Sequence, residues 1–174
     1  MKKRLFPVLL LAGFATTPVS APVSAQTPAT FSDTYADFVE TLRVRCTGFE
    51  NGAFDAPAEA VSRTADFNGD GITDPIVEEW RFSCSSSATM FSGGTGGSYV
   101  HLFVSQPDGG YSRFEFLAYA AMIVTPQSRP DRPVLLLPQH GANCDVTAEP
   151  CYAAYVWSET GRFVSTGGVV EASQ

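Results

Sequence analysis

"SYVHLFVSQPDGGYSRFEFLAYAAMIV", residues 98–124, decides the class of this fold. Two runs rich in aromatic and β-branched residues flank "QPDGG", five positions in which Pro, Asp and Gly each favour a turn. The stretch predicts an antiparallel hairpin. Working upstream, "PIVEEWRFSC" (75–84) sets Ile76, Glu78, Trp80, Phe82 and Cys84 on one side against Val77, Glu79, Arg81 and Ser83. That period of two predicts a strand with one mainly apolar face. Glu78 is the odd residue on that face, to be placed at the surface near the strand end or paired with an arginine. Downstream, "PVLLLPQ" (133–139) is continuously apolar between prolines, as a central strand would be. "CYAAYVWS" and "RFVSTG" enclose "ETG", a second hairpin. "SGGTGGS" (92–98) lacks the Lys-Ser/Thr of a phosphate loop and leads into a strand, so it reads as a mobile hairpin tip.

One segment has a different period. "TFSDTYADFVETLRVRC" (30–46) places Phe31, Tyr35, Phe38, Val39 and Leu42 on one helical face. Thr30 or Ser32 can cap its start, while Arg43 and Arg45 suit the negative end of the helix dipole. The expected fold is mainly β, with about six or seven strands in an antiparallel sheet or small sandwich, plus one N-terminal amphipathic helix. An α+β arrangement is the variant.

The first 25 residues have the pattern of an export signal: "MKKR", then apolar "LFPVLLLAGFA", then small-residue cleavage sites in "VSAPVSAQ". Cutting after Ala25 is preferred, because cutting after Ala21 would leave Pro22 at the new terminus. The expected organisation is a leader at 1–25, a flexible lead-in at 26–30 and a single domain at 31–174, in the periplasm or secreted. Removing the leader leaves eight of the 11 basic residues, all arginine, against 18 acidic ones, a net charge of −10. Such a surface repels nucleic acid and attracts cations. The expected partner is another exported protein or a cell-envelope component.

Four cysteines, Cys46, Cys84, Cys144 and Cys151, suit an oxidising compartment. Three pairings are open; proximity favours Cys144 with Cys151, leaving Cys46 with Cys84. Zinc held by "HGANC" and Cys151 is the rival use, against which export argues.

"DFNGDGITD" (66–74) crowds three aspartates, an asparagine and two glycines into nine positions. Calcium takes six to eight oxygens, from carboxylates and carbonyls above all. Asp66, Asn68 and Asp70 alternate, so a curled loop can turn all three inward. Gly71 permits the sharp bend, Ile72 offers its carbonyl and a side chain to anchor in the core, and Asp74 closes the set. The sequence argues against an EF-hand: Val77 stands where that motif needs a bidentate glutamate, and no helical pattern flanks the loop. The alternative is an Asx-rich turn without an ion.

The pattern D-x-N-x-D-G-x-x-D before an apolar strand resembles the calcium loop of FG-GAP/VCBS repeats, from Thr64 to Glu79. A propeller needs several such blades, and here the motif stands once. The longer set "DFNGDGITDPIVEEWRFSC", "FSGGTGGSYVHLFVS" and "HGANCDVTAEPCYAAYVWSETGRF" resembles small exported bacterial proteins of unassigned function. Those carry cysteines in the Gly-rich turn, where Ser92 and Ser98 stand here. The resemblance implies the pairing 46–84 and 144–151 and no activity.

Signals for catalysis are sparse. Ser98, His140 and Asp145 could be imagined as a triad, but no "GxSxG" elbow supports it. Adjacent Glu78 and Glu79 on a strand point to opposite faces, the wrong geometry for a glycosidase pair. "PQSRPDRP" (126–133), with Arg129, Asp131 and Arg132 between prolines, reads as a rigid exposed connector or an interaction site. The function expected is thus a non-catalytic, calcium-stabilised binding or structural module. The alternatives are a small envelope hydrolase using His140 and a proteinaceous inhibitor.

Overall fold

The helix forms where the apolar spacing put it. In the computed structural model, which describes residues 29–144 and 151–171, α1 spans Phe31–Gly48. Thr30 caps it in a reciprocal box: its side chain accepts from Asp33 N, and the Asp33 carboxylate accepts from Thr30 N. Phe38, Leu42 and Cys46 are its buried stripe. The predicted leader and lead-in up to residue 28 fall outside the described residues, as does Asp145.

Ten short strands follow among the described residues. In chain order they are β1 (Phe54–Asp55), β2 (Val61–Ala65), β3 (Asp74–Glu78), β4 (Ser83–Cys84) and β5 (Ser98–Ser105). Then come β6 (Tyr111–Ala118), β7 (Met122–Val124), β8 (Val134–Gln139), β9 (Cys151–Ser158) and β10 (Arg162–Glu171). The chain is therefore mainly β with one helix, as its periodicities required. All pairings are antiparallel: a front sheet β2-β3-β5-β6, a back sheet β10-β9-β8-β7, and the small pair β1-β4. The apolar "VLLLPQ" strand lies inside its sheet, and "QPDGG" and "ETG" close hairpins.

The three layers share the front sheet. On β5, His101 and Phe103 face α1, where Phe103 joins Phe38, Leu42, Val77 and Phe82 in one apolar cluster. Val100, Leu102 and Val104 face backwards onto Leu135 and Leu137 of β8. Seven of the eight β5 residues are buried, on both faces of the strand; each fully buried Val, Leu or Phe contributes about 1.5–3 kcal/mol. Phe67, Phe114, Trp157 and Phe163 form an edge-to-face aromatic group between the sheets.

Two predicted strands are broken, and no sequence pattern marks the two-residue strand β1; together these account for the higher strand count. "PIVEEWRFSC" is interrupted at Glu79–Arg81 by a turn of 3-10 helix, which turns Trp80 out to 45 % exposure and buries both glutamates. "YSRFEFLAYAAMIV" changes sheets at Tyr119–Ala121. The crossing is held by Glu78, which accepts from Ala121 N at 3.0 Å, and by Arg63, whose guanidinium donates to Ala121 O. Arg63 and Arg81 in turn flank Glu78, at 3.8 and 3.1 Å. The odd glutamate is thus a buried clasp at the exchange point.

Cys46 is bonded to Cys84 and Cys144 to Cys151, the pairing that proximity favours. The first ties α1 to β4. Two disulfides indicate an oxidising environment for the folded chain. No helix among the described residues is long and apolar enough to cross a membrane.

Candidate functional site

Asp66 to Asp74 link β2 to β3, and the loop is folded onto its own carboxylates. Asp66 accepts from Gly69 N at 2.7 Å and Gly71 N at 2.9 Å; Asn68 Oδ1 accepts from Asp70 N, and Asp70 Oδ1 from Ile72 N. Gly69 and Gly71 adopt φ of 81° and 84°, which their neighbours' side chains would resist. Phe67, not Ile72, anchors the loop: it is buried against Phe163, while Ile72 is 48 % exposed. Ile72 follows Gly71 on the outer rim of the bend, so its side chain has no core to enter.

Asp74 differs from the other acids because it is buried. One oxygen accepts from Phe67 N and the other from Ser105 N, both at 2.9 Å, so this carboxylate sews the loop to the end of β5. Burial pushes its carboxyl above the ordinary aspartate value, assisted by Asp70 and opposed by the donors from Ser105 and Phe67. The Ser105 hydroxyl also reaches Asp70 at 2.7 Å. Asp70 lies below its ordinary value: desolvation, the largest single influence, would raise it, but hydrogen bonds from Ser105, Ile72 and Asn68 together outweigh it.

The loop's donors are all oxygen, which suits a hard cation in kind. Most of these oxygens retain a lone pair after taking one N–H. Their positions are less favourable: among the described residues, no three His, Cys, Asp or Glu side chains stand close enough to hold a metal ion.

The loop has a neighbour that its sequence did not announce. Asn68, Gly69 and Asp70 line a cleft of about 1160 Å³ at one end of the sandwich. Its walls come from four connections. The β2–β3 loop and the "QPDGG" hairpin belong to the front sheet, and the 126–133 connector and the β9–β10 turn to the back sheet. Arg129 and Arg132 therefore share a cavity with Asp70, Glu159 and Trp157. Connector and acidic loop lie about sixty positions apart in the chain and could not be joined by reading it.

The imagined triad finds no support in its described members. Ser98 gives its hydroxyl to the Phe91 carbonyl, and His140 Nδ1 accepts from Ala142 N at 3.2 Å within its own turn. The Gly-rich segment is a closed turn: Gly94 and Gly97 bridge, and a Cβ on Gly93 would collide with the Gly97 carbonyl.

The other histidine is the one that sequence reasoning passed over. His101, buried on β5, has Nε2 2.9 Å from Glu79 Oε1, and Arg45 Nη2 lies 2.7 Å from the other Glu79 oxygen. Burial alone would raise the Glu79 carboxyl; bonds from His101 and Arg45 hold it below the ordinary glutamate value. The chain matches no family model, and no curated protein or solved structure proved similar to it.

Proposed function

We propose that the protein is an exported, non-catalytic binding module whose ligand site is the four-walled cleft. Calcium would be held beside that cleft by Asp66, Asn68, Asp70, the Ile72 carbonyl and Asp74, whose oxygens would have to draw closer together around the ion than they stand here. The single observation that supports this reading is the composition of the cleft. Loops from both sheets line one cleft with Arg129 and Arg132, with Asp70, Asp131 and Glu159, and with Trp157. Arginine and tryptophan are the residues that most often dominate binding energy. Charges of both signs and an aromatic ring in one cleft suit a ligand with hydroxyl and acidic groups, as a cell-envelope glycan carries. The resemblance of the loop to FG-GAP/VCBS calcium loops supports the ion.

Calcium affinity would be that of an extracellular module, about 10⁻⁴–10⁻³ M. At tenfold excess over Kd the ion would add about 1.4 kcal/mol to stability. Thermal melts of the mature protein with and without calcium test this part. The wild type should gain melting temperature and Asp66→Ala should not; equal gains in both would end the calcium assignment. Acidic and neutral envelope glycan fractions, applied to wild type and to Arg129→Ala/Arg132→Ala, test the cleft. Retention of an acidic fraction by wild type alone is expected, and equal retention by the double variant would exclude the cleft.

A further inference from the structure

A second cavity, of about 330 Å³, lies beside α1 on the front of the β5–β6 hairpin, lined by Phe38, Tyr99, His101, Arg113 and Glu115 among others. Its volume is at the lower end of small-molecule sites. The bond from His101 to the Glu79 carboxylate is made through Nε2, and with the proton on that nitrogen the other, Nδ1, is free to accept. Among the described residues, Nδ1 is the one buried side-chain nitrogen or oxygen without a hydrogen-bond partner. Such orphans are rare in folded proteins and call for an explanation. The facing group is Glu115 Oε2, 4.0 Å away, beyond direct bonding and itself an acceptor.

Two acceptors across that gap suit a shared donor. A nitrogen placed about 2.8 Å from both would make an angle of roughly 90° between its bonds, within the range open to an ammonium group. The next group along the strand supplies the opposite charge. Arg113 lies two residues before Glu115 on the same face of β6, about 6.7 Å along the strand. Its guanidinium rests over the Phe38 ring at 5.2 Å and makes no ion pair among the described residues. Phe38 also packs on His101, with ring centroids 4.5 Å apart, so the three groups surround one small space.

We propose that this cavity binds an α-amino-acid zwitterion, with the ammonium between His101 Nδ1 and Glu115 and the carboxylate on Arg113. Glu79 is the positioning residue: it fixes the ring tautomer and, tied to Arg45, cannot turn away. Phe38 and Tyr99 bound the space left for the ligand's side chain, which favours small amino acids. The proposal is independent of calcium and of the larger cleft.

The test uses the mature protein with glycine as probe, read by the ¹⁵N shift of the His101 ring. Acetate and methylammonium serve as the two half-ligands. Glycine should move Nδ1 at millimolar concentration, and each half should bind at least about tenfold more weakly. Arg113→Gln and Glu115→Gln, both at exposed strand positions, should each weaken glycine about tenfold while melting like wild type. A ring unmoved by glycine up to about 50 mM would overturn the proposal. So would variants that melt normally and bind glycine unchanged, or methylammonium alone matching glycine.

Discussion

Glu79 and Asp74 are both buried acids, yet the fold holds them in opposite ways. Around Glu79, partners from α1 and β5 outweigh desolvation and depress its pKa; around Asp74, desolvation outweighs its donors and raises it. The signs of their contributions therefore differ. A depressed carboxyl contributes stability above its unfolded value, about 4.5 for Glu79, and loses it as pH falls through the lower folded value. A raised one, Asp74, opposes folding once ionised and weighs less as pH falls toward and below its ordinary 3.8. Glu79→Gln should therefore cost about 1–3 kcal/mol at pH 7 and flatten the loss of stability below about pH 4.5, measured as urea midpoints against pH. These residues also show the reach of sequence reasoning at this scale. The Asp66–Asp74 loop was legible because its side chains bond to backbone two to seven positions away. His101, Glu79 and Arg45 come from positions 22 and 34 apart, and none looks unusual where it stands.

At the scale of elements, period and turn chemistry located the helix, both hairpins and the interior strand. What they missed was where a strand stops. Neither Glu79–Arg81 nor Tyr119–Ala121 contains proline or glycine, the usual punctuation. The breaks are imposed from a distance, by Glu78 and Arg63 holding Ala121 and by the disulfide holding Cys84. The Gly-rich turn was legible as a turn but not as a tight one. Gly97 has φ of 92° and lies against the Ala118 carbonyl, so a Cβ there would sit 2.4 Å from that oxygen. Gly97→Ala should cost about 1–3 kcal/mol in chemical unfolding. Gly94→Ala, with nothing within 4 Å of its new methyl, should stay within about 0.5 kcal/mol. Equal effects would show that this turn is loose.

For the whole molecule, the helix layer is the piece most dependent on a covalent tie. Cys46–Cys84 closes a separation of 38 residues and joins α1 to β4, whereas Cys144–Cys151 closes one of 7 within a single connection. Loop-closure entropy puts the first near 4 kcal/mol and the second near 2.5 kcal/mol. Removing the first pair as Cys46→Ala/Cys84→Ala should therefore lower the melting temperature more than Cys144→Ala/Cys151→Ala; the reverse order would place the weak seam at the back sheet.

Because two rims of the large cleft are borne by one sheet and two by the other, its aperture is a readout of how the layers stack. The rings of Phe67, Phe114, Trp157 and Phe163 are the spacer that sets this separation. A guest gripped between the rims would therefore press on that spacer, and a shaved ring deep in the molecule would alter the grip without ever touching the guest.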